Sequence, residues 1–437
     1  MTRPLLRWKV RAALLAIPGM TLLAATIAPT TGAQAASGRV LNAVQVAGSP
    51  QYTTQGGATP LSTDRTVPHW HSSFTDPTNG VTYGYNMVGN GDPRTFTGTT
   101  TVPTEIIPLN FVFAANGGFA LNGSDVSTAF ANSPLWASNN YGTVKLSPTG
   151  APATLSNSSG VQLEDATMRS QFNEVGASTF HLNLGAPQML PVQTIIVPRN
   201  QGTAAYLGDP AQGFSPVGLM SLKWFAARMQ SLMGSLRIDP ATLPYFLTNN
   251  TYLYIGNLNN CCVLGFHGAS QVTGNGSGVT NGNGKQGVQT WIYAAWTQPN
   301  TWDVATTPGS PDGSDGYYIQ DIHAASHETS EWADDPFVNN LVNPWVTPTA
   351  PQYGCTSVLE TGDPVVGIGF LVGSNTYSSG GNADGSWHPE DEVFLPWFAR
   401  QTPNTTSETL QGGTTGRYTF MGSLNPYPGF QVAATGC

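Results

Sequence analysis

The chain has 437 residues, of which 40% are hydrophobic, 10% aromatic and only 9% charged. That balance excludes an intrinsically disordered chain and leaves enough apolar material for one large or two medium domains with a substantial core. The acidic excess, 25 Asp+Glu against 16 Lys+Arg, excludes a nucleic-acid binder, which needs a basic surface to displace counterions.

The chain opens on a basic leader, Arg3, Arg7, Lys9 and Arg11, followed by an apolar run from Ala12 to Ala28. Pro18-Gly19 interrupts the run, and Ala33-Gln34-Ala35-Ala36 closes it with small residues. This pattern predicts a secretory signal peptide over residues 1–36, cleaved near Ala35-Ala36. The breaker pair argues against a membrane anchor, which needs ~20 continuous apolar residues. The expected mature protein is secreted, without a membrane span, and carries 12 basic against 25 acidic residues.

Residues 37–66 are rich in Ser, Thr and Gly and read as an extended lead-in. A β-rich portion is expected over 67–200, on β-branched and aromatic runs such as Val81–Tyr85, Thr104–Phe113 and Gln193–Val197. His69-Trp70-His71 alternates as on a strand and is read as structural. A helix is expected where Leu219, Leu222, Phe225, Met229, Leu232, Met233 and Leu236 form one stripe. Asp239-Pro240 then reads as an N-cap with proline at the first helical position, opening a shorter helix. Strands are expected at Thr251–Ile255, Cys262–His267 and Gln289–Trp296, with a flexible Gly/Asn-rich loop at 274–287. A further helix runs from about Tyr318 to Ala333, and loops and short strands follow it.

Four cysteines, Cys261, Cys262, Cys355 and Cys437, allow three pairings in an exported chain. Adjacent cysteines rarely bond each other, so the expected bond is Cys355–Cys437. No CxxC spacing is present, which argues against a cysteine-rich zinc site.

Charge is unevenly distributed. No Lys or Arg lies between Gln286 and Ala399, yet Asp312 to Glu392 holds 13 of the 25 acidic residues. Crowded carboxylates repel one another unless cations or protons offset them. A solvated acidic surface would explain the run, and so would a cation site.

The spacing favours the cation. His323, His327 and Glu331 are each four residues apart and share one helix face, with Glu328 about 100° round the helix. An imidazole and a carboxylate one turn apart can grip one metal ion, and the Glu after the first His can reach a water on it. Here Glu331 stands where HExxH metallopeptidases carry their second His. The stretch follows a strand-rich segment, as in zinc peptidases whose substrate lies along an edge strand. Glu360-Thr361-Gly362-Asp363 begins 29 residues after Glu331, a feasible distance for a third ligand to fold back.

Ser326-His327-Glu328-Thr329-Ser330-Glu331-Trp332-Ala333-Asp334-Asp335-Pro336-Phe337-Val338-Asn339-Asn340 resembles the hallmark segment of a family of secreted bacterial HExxE zinc metallopeptidase-like proteins. That family is distantly related to plant phosphate-induced (exordium-like) proteins. Asn259–His267, Pro351–Cys355, Leu359–Pro364 and Phe394–Gln401 also match, so the resemblance covers residues 66–437. It implies one zinc ion held by His327 and Glu331, with Glu360 preferred as third ligand, then Asp363, then His323. It also implies Glu328 as general base toward a peptide or protein substrate. His388 is a candidate for orienting a transition-state oxyanion and His267 for lining the cleft. The expected fold is α+β: a strand-rich N-terminal portion packed with a zincin-like portion, 201–437, that contains the HExxE helix. The rival expectation is a non-catalytic exported protein that binds envelope or wall material, with a structural metal or none.

Overall fold

The computed structural model describes residues 65–302 and 319–436, except 142–143, 146–151, 154–158, 173–178, 273–286, 347–354, 377–384, 403–417, 421–433 and 435. The expected leader, nearly all of the lead-in, the Gly274–Gly278 loop and Cys437 lie outside the described residues.

The fold is α+β. In chain order the elements that matter for the site are β1 (His69–Thr75), β2 (Thr82–Val88), β3 (Thr104–Phe113), α1 (Leu163–Phe172) and β4 (Gln193–Val197). Next come β5 (Pro216–Ser221), α2 (Leu222–Leu236), β6 (Leu243–Asn249), β7 (Thr251–Tyr254) and β8 (Cys261–Val263). They are followed by β9 (Gly265–Val272), β10 (Gly287–Trp296), α3 (His323–Asp334), β11 (Leu341–Val346) and β12 (Cys355–Val358). The main sheet runs β3-β6-β10-β9, with β3–β6 and β6–β10 parallel and β9 antiparallel at the end of the order. β4 also pairs with β3 in parallel. The β-rich stretch before residue 200 and the segment after it therefore share one sheet.

Alternation along the strands divides the core in two. Tyr245 and Leu247 of β6, with Ile292, Ala294 and Trp296 of β10, belong to one apolar cluster. Phe246, Trp291, Tyr293 and Ala295 belong to the other. Successive side chains leave a strand on opposite faces, so buried parallel strands such as these are apolar on both. α2 covers the second face through Phe225, Met229 and Met233. α3 covers the first through Ala325, Trp332 and Ala333. The Met stripe is thus a core face, as its periodicity implies.

Four expectations need correction. Leu219 lies on β5, and the helix begins at Leu222 after Ser221. Asp239-Pro240 opens no helix: the Asp239 carboxylate accepts from Ala241 N at 3.0 Å, making a turn that delivers the chain into β6. β6 lies between two parallel neighbours, and that ladder overrides the local capping signal. The third is the reading that adjacent cysteines do not pair, since Cys261 and Cys262 are bonded to each other with Cα atoms 3.0 Å apart; the expected Cys355–Cys437 bond involves a residue outside the described ones. Cys355 is also disulfide-bonded. The last is the start of α3, which falls at His323 because Asp321 has φ 36° and bridges Thr297.

Candidate metal centre

α3 has no side-chain cap at Ile322. Tertiary contacts hold it, since all twelve of its residues are buried. Trp332 Nε1 donates to Thr290 Oγ1 on β10 at 3.0 Å, Ser330 Oγ donates to Glu164 of α1 at 2.8 Å, and Tyr245 and Thr329 hydroxyls meet at 2.9 Å. At the C-terminal end both Asp335 carboxylate oxygens accept backbone N–H groups, of Asn339 and Asn340. The helix is therefore fixed in rotation, and its HExxE residues point at defined neighbours.

The acidic run is interior. Of its 13 members, ten are described, from Asp321 to Glu392, and every one is buried. The solvated-surface explanation of the run fails on that observation. Buried carboxylates persist only with protons or cations to offset them.

Two groups of donors meet at Glu331. His327 Nε2 lies 3.1 Å from Glu331 Oε1 and 3.7 Å from Asp363 Oδ1. Four ligands arranged tetrahedrally at ~2.1 Å from zinc stand ~3.4 Å apart, so this spacing fits a metal. On the other side His267 Nδ1 lies 3.6 Å from Glu331 Oε2, and His267, Glu331 and Glu360 form a second group. Glu331 Oε1 also accepts the backbone N–H groups of Gly362 and Asp363, each at 3.3 Å. Glu328 flanks both groups: its Oε1 is 3.8 Å from His327 Nε2, and its Oε2 is 3.3 Å from His267 Nδ1.

Strand register explains His267. It pairs with Ile292 across the β9–β10 ladder, and Gly265 pairs with Ala294. Both partners face the α3 side of the sheet. Directly opposed residues share a face, so Gly265 and His267 face α3. A methyl group at Gly265 would lie 2.6 Å from Glu328 Cγ, and one at Gly362 would press on the His327 ring. Glycine is required at both places by close approach.

Protons take up the charge in the protein alone. Burial opposes charge on His267, but the Glu328 and Glu331 carboxylates outweigh it and push the imidazole up to about 10. His327 is likewise raised against burial, by Glu331 and Glu390. Burial would raise Glu331, yet His327 and His267 hold it below the usual carboxylate range. Burial, reinforced by Glu331 and Asp363, drives Glu360 well upward, and burial also raises Glu328. No donor meets either Glu360 oxygen, although the residue is 1% exposed, and the side chain it reaches is the Glu331 carboxylate. A divalent ion would replace these protons and supply the missing partner, so the donor set fits one.

Each residue singled out from the sequence now has a place. His327, Glu331 and Asp363 converge, with Glu328 beside them. Glu360 also meets Glu331, in company with His267. His323 Nε2 lies 2.7 Å from Glu390 Oε2, and His327 Nδ1 lies 3.1 Å from Glu390 Oε1. These are ion-pair distances without hydrogen-bond alignment. His388 donates its backbone N–H to Asp321 and sets Nδ1 3.0 Å from the same carboxylate. Glu390, which backs both helix histidines, escaped the sequence reading. Its only signal was membership of the acidic run. No family model, curated protein or solved structure matches this chain.

Proposed function

We propose that this chain is a secreted, zinc-dependent hydrolase of peptide bonds, belonging with the bacterial HExxE proteins it resembles in sequence. The observation that carries the reading is the buried convergence of His327, Glu331 and Asp363 with the Glu328 carboxylate alongside. Bound there, zinc would supply a Lewis acid for the scissile carbonyl and lower the pKa of water. Glu328 accepts the proton that water gives up and passes it to the leaving amine, a task suited to a carboxyl raised by burial. His267 lies 3.3 Å from Glu328 on the strand side, and Glu390 backs His327. β9, antiparallel at the end of the sheet order, runs beside these groups and suits an extended substrate.

A second reading has its own observation. His327 is 4% exposed and Glu331 1%, and structural zinc sites are closed where catalytic ones keep an open position. On that reading the ion holds α3 to the following loop in a non-catalytic exported protein. One experiment separates the two: zinc content, peptidase activity and thermal melting of wild type and Glu328→Gln. Hydrolysis is supported if Glu328→Gln keeps its zinc and melting temperature and loses about 10²-fold or more of turnover. Zinc that raises the melting temperature without any turnover in wild type supports the structural ion instead. A zinc-free purified chain that cannot be reloaded ends both.

A further inference from the structure

We propose that Glu331 bridges two divalent cations, the second held by His267 and Glu360. The inference rests on the reading that His327, Glu331 and Asp363 hold the first. All ligand atoms of one zinc ion lie within ~4.3 Å of each other, twice a ~2.1 Å bond. The five donors instead fall into two triads, His327–Glu331–Asp363 and His267–Glu331–Glu360, whose only common member is Glu331. The two oxygens of that carboxylate serve different sides, Oε1 toward His327 at 3.1 Å and Oε2 toward His267 at 3.6 Å.

Independent of the clustering, Glu360 is 1% exposed, no donor meets either of its oxygens, and the side chain it reaches is another carboxylate, that of Glu331. A fully buried carboxylate with no donor keeps its charge only where a cation meets it, and otherwise holds a proton that a divalent ion can displace. Charge points the same way. One divalent ion leaves Glu331, Glu360 and Asp363 with a net negative charge in an interior that also holds Glu328, Glu390 and Glu392. Two ions leave these three ligands with a net positive charge, which the neighbouring carboxylates offset.

The same arrangement explains the departure from HExxH. A carboxylate offers two donor atoms and can span cations ~3.5–4 Å apart, as in two-metal hydrolytic sites. A neutral imidazole offers one lone pair. Glutamate at position 331 is the residue type that bridging requires.

The full chain, stripped with EDTA, is loaded with Zn²⁺ for stoichiometry and with Mn²⁺ for electron paramagnetic resonance. The expected result is two equivalents of Zn²⁺ in wild type and an exchange-coupled Mn²⁺ pair, with one equivalent in Glu360→Gln and in His267→Gln. The wild-type spectrum reports on the pair even if a variant fails to fold. One equivalent in wild type, unchanged in Glu360→Gln, overturns the second site and leaves the first standing. Two equivalents with an uncoupled spectrum overturn the bridge. No bound metal overturns this inference together with the reading beneath it.

Discussion

Gly362 offers the sharpest test of the site's geometry. Its backbone, φ −81° and ψ −34°, suits any residue, so space alone decides what fits there. An alanine methyl would lie 2.7 Å from both Cγ and Cε1 of His327, with Nδ1 nearer still. Ordinary carbon contacts begin near ~3.5 Å, so the ring or the loop must yield by roughly 0.8 Å. Ligand distances tolerate only about 0.2 Å, and the loop cannot retreat freely because Gly362 N and Asp363 N donate to Glu331. The expected effect of Gly362→Ala is a roughly 10- to 100-fold loss of zinc affinity, as when a ligand's support is disturbed. The metal-free protein should lose about 1–3 kcal/mol from overpacking. Competition against a chelating dye measures the first quantity, and urea unfolding in EDTA the second. Zinc affinity within about twofold of wild type, with unchanged unfolding, would refute the argument that this glycine backs directly onto a ligand.

Gly265→Ala should act differently, because its methyl meets Glu328 Cγ and not a proposed ligand. We expect turnover to fall about 10²-fold while zinc content holds, so loss of metal in this variant would count against the assigned roles. Asp334 tests the buried charge. Burial pushes its carboxyl from 3.8 up to about 7, so the folded state binds the proton more tightly. That stabilisation is complete below the unfolded value and lost as the pH rises through about 7. In metal-free protein the stability of Asp334→Asn relative to wild type should therefore grow by about 1.4 kcal/mol per pH unit across that window, as read by urea unfolding. A difference that stays flat with pH would show that Asp334 is ordinary. Finally, Trp332, fully buried and bonded to Thr290, docks α3 on the sheet. Trp332→Ala should cost about 3–5 kcal/mol in chemical denaturation, and a loss under 1 kcal/mol would contradict that role.

Individual strands were legible in the sequence. Thr104–Phe113 and Gln193–Val197 match their strands residue for residue, since β-branched runs between turn residues have few alternatives. The Asp239-Pro240 signal misled because a capping pattern is local, whereas the ladder that makes β6 a strand is assembled from β3, 139 positions upstream, and β10, 47 positions downstream.

For the site, sequence by itself determined what helical periodicity can determine. His327 and Glu331 must share a face, and Glu328 must stand beside them, because four residues make about one turn. Which distant groups complete the cluster lay beyond any spacing rule. β9 brings His267 from 60 residues upstream of His327, and the following loop divides its carboxylates, Asp363 toward His327 and Glu360 toward His267. Burial was equally unreadable. An acidic run without basic partners suits a wet surface or a charged interior, and only the packing of α3 between sheet and loop made it the latter. Charge in such an interior demands neutralisation, and that demand is what turns five separated residues into a candidate metal centre.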